Sequence, residues 1–145
     1  MRNRDEKIDL LRELPLFAGA HRRELRELAA TTDLVSADAG RVLCRAGQRA
    51  LATYIVVDGV VDVVVQGDAV TSLRRGQIVG ELGVIDGEPR SADVVAATDV
   101  TLLAIHEAAL RGLIETNHAL RTALLHHLAA RVRTMNLEVA LRTAV

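Results

Sequence analysis

Aromatic residues are almost absent from this chain of 145 residues, since Phe17 and Tyr54 are the only two and there is no tryptophan. Sites that hold a ligand between aromatic rings, such as methyl-ammonium cages and most single-stranded nucleic-acid surfaces, are therefore nearly excluded. Hydrophobic residues nevertheless make up 50% of the sequence, so the core must be built from aliphatic side chains. A chain of this length is expected to form a single domain over residues 1–145.

Cysteine occurs once, at Cys44, which excludes an internal disulfide and a cysteine-based zinc site. The charges balance, with 18 basic and 19 acidic residues and a net charge of -1. We therefore expect no direct binding of nucleic acid by this chain, because no positive field is available to hold a phosphate backbone. The sequence has no apolar run of membrane-spanning length and no signal-peptide pattern. We expect a cytoplasmic protein without a membrane partner.

Periodicity divides the chain into three zones. In residues 1–33, apolar side chains with helical spacing on both sides of Pro15 predict N-terminal helices. In residues 34–106, short β-branched runs separated by Gly and Asp predict about eight strands, with a hairpin at Asp58-Gly59. Residues 107–145 are helical again. The pattern predicts a mainly β fold with flanking helices, in which an eight-stranded jelly-roll β-barrel, or double-stranded β-helix, lies between N-terminal helices and a C-terminal helical tail.

The C-terminal zone carries an apolar stripe with spacings of 3, 4, 3 and 4 residues. This spacing is typical of the seam of a short coiled coil and is compatible with a homodimer. Packing of the stripe against the chain's own strands explains the pattern equally well, because two heptads are marginally stable alone. The stripe consists of Leu125, Leu128, Val132, Met135 and Val139.

Residues able to bind a charged ligand concentrate in the segment GQIVGELGVIDGEPRSA, residues 76–92, which contains four glycines. Glycines at this density mark sharp turns or close approach of the backbone to another group. Residues 81–86 have room for one helical turn whose first N–H groups are free to hold an anion. The guanidinium of Arg90 suits a bidentate phosphate contact, and Glu81 can accept a hydrogen bond from a sugar hydroxyl. These residues indicate a sugar phosphate as ligand, although an exposed Glu–Arg surface pair is the alternative.

The stretch GELGVIDGEPRSA, residues 80–92, resembles the phosphate-binding cassette of the cyclic nucleotide-binding domain family, which includes catabolite activator proteins, protein kinase A regulatory subunits and cyclic-nucleotide-gated channels. The Gly-Glu pair, the Pro-Arg pair and the nine-residue offset from Glu81 to Arg90 all agree. The resemblance extends from the LPLF segment at residues 14–17 to the helical tail. It implies a regulatory sensor module whose flanking helices move when a cyclic nucleotide binds.

The resemblance also implies a role for each cassette residue. Arg90 is expected to clamp the cyclic phosphate, and Glu81 to accept the ribose 2′-hydroxyl. Ser91 is expected to add a hydrogen bond from its hydroxyl group to the phosphate. Ser rather than Thr follows the arginine, as in bacterial cAMP receptors of similar sequence, so cAMP is favoured over cGMP. The base is expected to lie against side chains of the strands. The other implied ligand-binding residues are Gly80, Leu82, Gly83, Ala92, Val63, Val70, Thr71 and Leu73.

The sequence departs from the family pattern in its lack of aromatic residues. Val79 stands where many relatives have Phe before the Gly-Glu pair, and no aromatic residue follows Tyr54. Relatives often cap the bound base with an aromatic side chain from a C-terminal helix. Here the cap is expected to be aliphatic or basic, from Met135, Leu137 or Arg133, or to come from another chain.

Other functions compete with the sensor interpretation. A cupin-type metal enzyme needs clustered His and carboxylate ligands on strands, whereas the histidines lie at helical or strand-end positions and no catalytic motif is present. We therefore expect no enzyme, no metal and no cofactor. The chain is alternatively the sensor part of a catabolite-activator-like transcription regulator or other larger effector whose output domain is absent, or a degenerate module that dimerises without binding. The histidines are His21, His106, His118, His126 and His127, of which the last two are expected to face solvent or a neighbouring helix.

Overall fold

A computed structural model of the chain describes residues 2–143. Within these residues, eight strands form two four-stranded antiparallel sheets, flanked by five α-helices. The helices are α1 (Arg2–Glu13), α2 (Arg22–Thr31), α3 (Glu81–Asp86), α4 (Glu107–Thr116) and α5 (His118–Thr143). The strands are β1 (Thr32–Ala37), β2 (Val42–Cys44), β3 (Ala52–Asp58), β4 (Val61–Val65), β5 (Asp68–Leu73), β6 (Ile78–Val79), β7 (Asp93–Ala96) and β8 (Val100–His106). The predicted mainly β fold with flanking helices is confirmed.

The two sheets are open rather than closed into one barrel. The strand order is β1-β8-β3-β6 in the first sheet and β2-β7-β4-β5 in the second. The eight strands of the predicted jelly roll are present, but their two sheets are not closed into a barrel. The strand β6 lies at the edge of the first sheet and contains only Ile78 and Val79 before the chain turns at Gly80.

The turn at Asp58-Gly59 does not form the predicted hairpin. The strand before it, β3, pairs with β6 and β8, whereas the strand after it, β4, pairs with β5 and β7. The turn therefore carries the chain from one sheet to the other. A turn dipeptide predicts a reversal of the chain, but burial of one strand face against the rest of the protein decides which strands pair.

Two clusters of buried side chains hold the layers together. One lies between the helices and the first sheet and includes Leu11, Phe17 and Leu103. The other lies between the two sheets and includes Val56 and Leu102. The central strand β8 is buried on both faces because consecutive side chains of a strand point to opposite sides. Aliphatic side chains thus form nearly all of the core, as the composition requires.

The helix α5 packs on the molecule only through its first half. Leu120 and Leu124 are buried, whereas every residue from Arg131 to Thr143 is exposed. In the predicted stripe Leu128 is half-buried, and the exposed fractions are 66% for Leu125, 54% for Val132, 59% for Met135 and 57% for Val139. The interpretation in which this stripe packs against the chain's own strands is therefore wrong. Across residues 2–143, no helix has the length and apolar character needed to cross a membrane.

Candidate functional site

The segment predicted to bind phosphate begins where β6 ends and α3 starts. Gly80 joins them with φ of +83°, in the left-handed region that favours glycine. An added Cβ at this position would collide with the guanidinium of Arg90. Gly83, inside α3, is buried, and a Cβ there would meet the Cβ of Ala50 at 2.6 Å and the carbonyl oxygen of Glu88 at 2.7 Å. Residues 80–92, hereafter the cassette, therefore depend on two glycines for two different reasons, backbone conformation and close packing.

Arg90 lies between α3 and β7 and is anchored through both its backbone and its side chain. Its backbone N–H donates to the carbonyl oxygen of Gln48 at 2.7 Å. In the side chain, Nη1 donates to the carbonyl oxygen of Gly80 at 2.8 Å, and Nη2 donates to that of Ala52 at 2.6 Å. These two bonds fix the plane of the guanidinium while using only two of its five N–H donors. Other donors of a pre-oriented Arg90 thus remain for an anion.

Glu81 is the most unusual side chain of the cassette, because this carboxylate is only 1% exposed. Its partners come from α5: Nη1 of Arg131 donates to Oε1, and Nε2 of His127 lies 3.4 Å from the same oxygen. A buried carboxylate is stable only when it is paired or hydrogen-bonded. The carboxylate of Glu81 is therefore held under α5 by two side chains 46 and 50 residues away in sequence.

Arg131 was not among the site residues predicted from the sequence, and only part of the role of His127 was predicted. His127 does contact a neighbouring helix, α3, which was one of its two expected environments. A signal for both was present, because Leu120, Leu124, His127 and Arg131 follow at spacings of 4, 3 and 4 on one helical face. Leu120 and Leu124 are buried, so the next residues of that face are the ones brought to the cassette.

The residues expected to cap the base lie farther along α5. Met135 is 59% exposed and Leu137 is 61% exposed, and Arg133 is also exposed. The α5 residues that contact the cassette are instead His127 and Arg131, which are 33% and 45% exposed. The structure thus brings a basic side chain from α5 to the cassette, but this side chain is Arg131 and not the expected Arg133.

The four strand residues expected to line the base do not all lie on one surface. Val63 is directly opposite Thr71, and Leu73 shares a face with Thr71 because side chains two apart in a strand point the same way. Val63 and Leu73 pack against the cluster between the sheets, whereas Thr71 is exposed. Val70 lies at a register shift of the β4–β5 pair and is 60% exposed. The structure therefore gathers Val63, Thr71 and Leu73 and separates Val70 from them.

The remaining cassette residues lie around the edge of the site. Leu82 is 38% exposed on the outer side of α3. Ser91 is exposed and Ala92 is half-buried, immediately after Arg90 and before β7. Among residues 2–143 no group of three or more His, Cys, Asp or Glu side chains is arranged to hold a metal ion. Of the three carboxylates in the cassette, Glu81 is buried, whereas Asp86 and Glu88 are exposed.

Cys44 and Tyr54 show that the charge of Arg90 reaches the space between the sheets. Burial raises the pKa of the Cys44 thiol, and the positive charge of Arg90 opposes that increase. Burial and, to a smaller extent, Cys44 raise the pKa of the Tyr54 phenol, again against the effect of Arg90. Both groups are therefore uncharged at neutral pH, and neither adds a negative charge beside Arg90.

The cassette is also connected to α4. Nε of Arg111 donates to the carbonyl oxygen of Val84 in α3 at 3.1 Å. Glu107, one turn earlier in α4, forms an ion pair with Arg111 at 3.5 Å and one with Arg49 at 2.9 Å. Arg111 therefore links α3 to α4, and Glu81 links it to α5.

Two surface cavities lie away from the cassette. One, of about 240 Å³, lies between α1 and the first sheet and is lined by residues such as Leu14, Ile55 and Arg75. The other, of about 760 Å³, lies between α2 and the start of α5, beside Glu24 and His118. Neither cavity includes a cassette residue, whereas the polar side chains that suit a sugar phosphate are in the cassette. Chemistry rather than cavity size therefore identifies the candidate site.

Comparison with known proteins leads to the same segment. The family model of the cyclic nucleotide-binding domain matches residues 34–117. A cyclic nucleotide-gated potassium channel of Mesorhizobium japonicum is 37% identical over 99 residues, which are 68% of this chain and 27% of the channel. The sensor domain of the transcriptional regulator DNR from Pseudomonas aeruginosa has a TM-score of 0.81 at 25% identity, covering 95% of this chain and 96% of that one. The catabolite activator protein of Thermus thermophilus has a TM-score of 0.76 at 28% identity, covering 89% and 63% of the two chains.

The match covers the part of the molecule described above. The chain spans about a quarter of the length of the curated relatives it matches. Residues 34–117 include the whole cassette, the strands β2 to β8 and the helix α4. The resemblance of residues 80–92 to the family's phosphate-binding cassette is thus part of a match that extends over the surrounding strands and helix. The chain belongs to the cyclic nucleotide-binding domain family.

Proposed function

We propose that this chain binds a 3′,5′-cyclic nucleotide, with cAMP preferred over cGMP, and that it acts as a sensor module rather than an enzyme. One observation carries the proposal: Arg90 is anchored on the carbonyl oxygen of Gly80, the residue that precedes the buried Glu81. A phosphate-binding cation and a hydroxyl-binding carboxylate are thereby held on one short segment. A ribose with a cyclic phosphate presents these two complementary groups at its two ends.

The phosphate is assigned to Arg90. A cyclic phosphodiester is a monoanion, and each charge-assisted hydrogen bond to it contributes about 1.5 to 3 kcal/mol. The bonds of Arg90 to Gly80 and Ala52 orient the guanidinium before the ligand arrives, which reduces the entropy lost on binding. Ser91 is adjacent and exposed, so its hydroxyl and backbone N–H are available to the same phosphate.

The ribose is assigned to Glu81 and the base to the strands. A hydrogen bond from the 2′-hydroxyl to a buried carboxylate is made in a low dielectric, where it is stronger than in water. The face formed by Val63, Thr71 and Leu73 offers aliphatic contacts to the base without an aromatic ring. Preference for cAMP is assigned to Ser91, because this position lacks the threonine associated with cGMP in the family.

Ligand binding is proposed to act on the flanking helices. The helix α3 contacts α4 through Arg111 and α5 through Glu81. A ligand shifts an equilibrium between two arrangements only as far as its affinity for them differs. Binding of a nucleotide to Arg90 and Glu81 would produce such a difference in affinity, because both side chains also contact neighbouring elements of the fold. The name of the Mesorhizobium channel, which describes gating by a cyclic nucleotide, supports this function.

The exposed stripe of α5 supports a second copy of this chain as partner. Leu125, Val132, Met135 and Val139 are exposed, and their heptad spacing matches the requirements of a two-stranded coiled coil. We therefore include homodimerisation through α5 in the proposal. A module that dimerises without binding a nucleotide is the alternative, and the titration described next separates the two.

The proposal is tested by isothermal titration of cAMP and cGMP into the wild-type protein, Arg90→Ala and Arg74→Ala. Arg74 is exposed and outside the cassette, so its replacement removes the same charge without touching the site. We expect cAMP to bind wild type and Arg74→Ala alike, cGMP to bind more weakly, and Arg90→Ala to lose at least about tenfold in affinity. Absence of heat with either nucleotide in wild type overturns the proposal.

A further inference from the structure

We propose that Arg131 of α5 is a positioning residue of the nucleotide site, which holds the carboxylate of Glu81 for the ribose hydroxyl and stays in contact with it when the ligand binds. This inference rests on the proposed binding of a cyclic nucleotide. With Arg131, the site contains three charged side chains, the other two being Glu81 and Arg90. The helix α5 then forms one wall of the nucleotide site.

The geometry at Glu81 leaves one carboxylate oxygen for a ligand. The contacts from Arg131 and His127 both involve Oε1. The second oxygen, Oε2, is therefore the acceptor left for a ribose hydroxyl. A carboxylate whose first oxygen is fixed by an arginine cannot rotate freely, so the direction of its second oxygen is determined as well.

Charge explains why Arg131 stays bound when the ligand arrives. Arg90 and Arg131 carry two positive charges, and Glu81 carries one negative charge. The single positive excess matches the single negative charge of a cyclic phosphodiester. If Arg131 left, a carboxylate that is 1% exposed would lose its charged partner while an anion entered the neighbouring space, and both changes are unfavourable.

The packing of α5 places Arg131 at the site. Leu120 and Leu124 are buried on the same face of α5, about three and two turns before Arg131, respectively. They hold the first half of the helix on the molecule, and the face they define continues through His127 to Arg131. The arginine head meets Glu81 while the side chain as a whole is 45% exposed. Replacing Arg131 therefore removes a contact to the cassette without removing a core residue.

His127 is the weaker of the two contacts. Its Nε2 lies 3.4 Å from Oε1, which is at the long end for a hydrogen bond. The guanidinium of Arg131, by contrast, donates directly to the same oxygen in a charge-assisted hydrogen bond. We therefore expect replacement of His127 to change nucleotide affinity less than replacement of Arg131, although both residues contact the same atom.

The test measures the affinities of cAMP and 2′-deoxy-cAMP by isothermal titration for wild type, Arg131→Ala, Arg131→Lys, Glu81→Gln and the double variant Glu81→Gln/Arg131→Ala. Arg142→Ala is the matched control, because Arg142 is exposed on α5 about three turns beyond Arg131. Circular dichroism verifies that each variant is folded. The 2′-deoxy ligand lacks the hydroxyl through which a positioning effect on Glu81 must be expressed.

We expect Arg131→Ala to weaken cAMP by about tenfold and 2′-deoxy-cAMP by clearly less, because the arginine acts through Glu81. Arg131→Lys is expected to recover part of the loss, and Arg142→Ala to bind like wild type. The double variant is expected to bind cAMP no more weakly than Glu81→Gln alone, since a positioning residue has no effect once its target is gone.

Each contrary result has a distinct meaning. Tighter binding of cAMP by Arg131→Ala would show that α5 competes with the ligand, and it would overturn the inference. An equal loss for both ligands, additive with Glu81→Gln, would show a general structural effect and would overturn it as well. Unchanged affinity in Arg131→Ala together with lost affinity in Arg90→Ala overturns this inference alone, whereas no binding by wild type overturns the proposed function too.

Discussion

The guanidinium of Arg90 lies against the backbone of Gly80, whose carbonyl oxygen accepts a hydrogen bond of 2.8 Å from Nη1. The space for this contact exists because residue 80 has no side chain, since an added Cβ would collide with Nη1. The φ of +83° at Gly80 independently favours glycine. One glycine thus turns the chain into α3 and also provides the position in which Arg90 is held.

Gly80→Ala is therefore expected to reduce both stability and nucleotide binding. Gly40→Ala is a matched control, because Gly40 has φ of +90° but no atom within 4 Å of an added Cβ. Both variants incur the cost of a left-handed backbone, about 1 to 2 kcal/mol, but only Gly80→Ala displaces Arg90. Urea denaturation and titration with cAMP are expected to show a larger loss of stability in Gly80→Ala and a loss of affinity in that variant alone. Equal affinities of the two variants would contradict the role assigned to Gly80.

Two helical glycines are expected to respond in opposite directions to alanine. An added Cβ at Gly83 meets Ala50 at 2.6 Å and Glu88 at 2.7 Å, whereas nothing lies within 4 Å of one at Gly112 in α4. Gly83→Ala is expected to lower the free energy of unfolding by about 1 to 3 kcal/mol through overpacking. Gly112→Ala is expected to raise it by about 0.5 to 1 kcal/mol, because alanine favours an exposed helix. Chemical denaturation measures both changes, and the prediction fails if their signs agree.

Glu24 is expected to make stability depend on pH. Its pKa is lowered from the ordinary 4.5, first by the backbone N–H of His21 and then by the side chain of Asn117. A lowered folded-state pKa stabilises the protein above the unfolded value, and this contribution is lost as the pH falls through the folded value. Wild type is thus expected to be more stable than Glu24→Gln at pH 7, with the difference shrinking below pH 4.5.

The control for Glu24 is Glu27→Gln. Glu27 lies on the same helix, is 73% exposed and has only a surface contact of 4.0 Å with Arg23. Its replacement is expected to change the free energy of unfolding by no more than a few tenths of a kcal/mol. Thermal or urea unfolding between pH 3 and 7 provides the comparison. A stability difference between wild type and Glu24→Gln that stays constant over this range would contradict the assignment.

The proposed dimer predicts that Val132→Glu dissociates the protein. Val132 is 54% exposed in the middle of the stripe on α5, and two facing carboxylates at a coiled-coil seam are destabilising. Sedimentation velocity is expected to show a dimer for wild type and a monomer for Val132→Glu. Thr134→Glu adds the same charge on the outer face of α5, away from the stripe, and is expected to remain dimeric. A monomer in the wild-type protein at all concentrations would rule out the α5 interface.

Much of the fold and part of the site followed from local patterns in the sequence. The helical periodicity, the dense β-branched runs and the break at Pro15 predicted the order of the elements, because each depends on residues a few positions apart. The glycines, Glu81 and Arg90 also lie close together in the chain, so the cassette could be identified by its resemblance to a known family motif. The scarcity of aromatic residues correctly predicted a core that is almost entirely aliphatic.

The tertiary structure decided which distant groups meet. That Arg131 and His127 contact Glu81 depends on how α5 packs through Leu120 and Leu124, and no short-range pattern specifies a contact across 50 residues. The same reason explains why the turn at Asp58-Gly59 joins two sheets instead of closing a hairpin. Composition and spacing determined which side chains were available for binding a sugar phosphate. The packing of the whole chain determined that α5 lies over the cassette and that its apolar stripe is exposed. Such packing depends on many weak contacts that form together, so no single stretch of sequence specifies it.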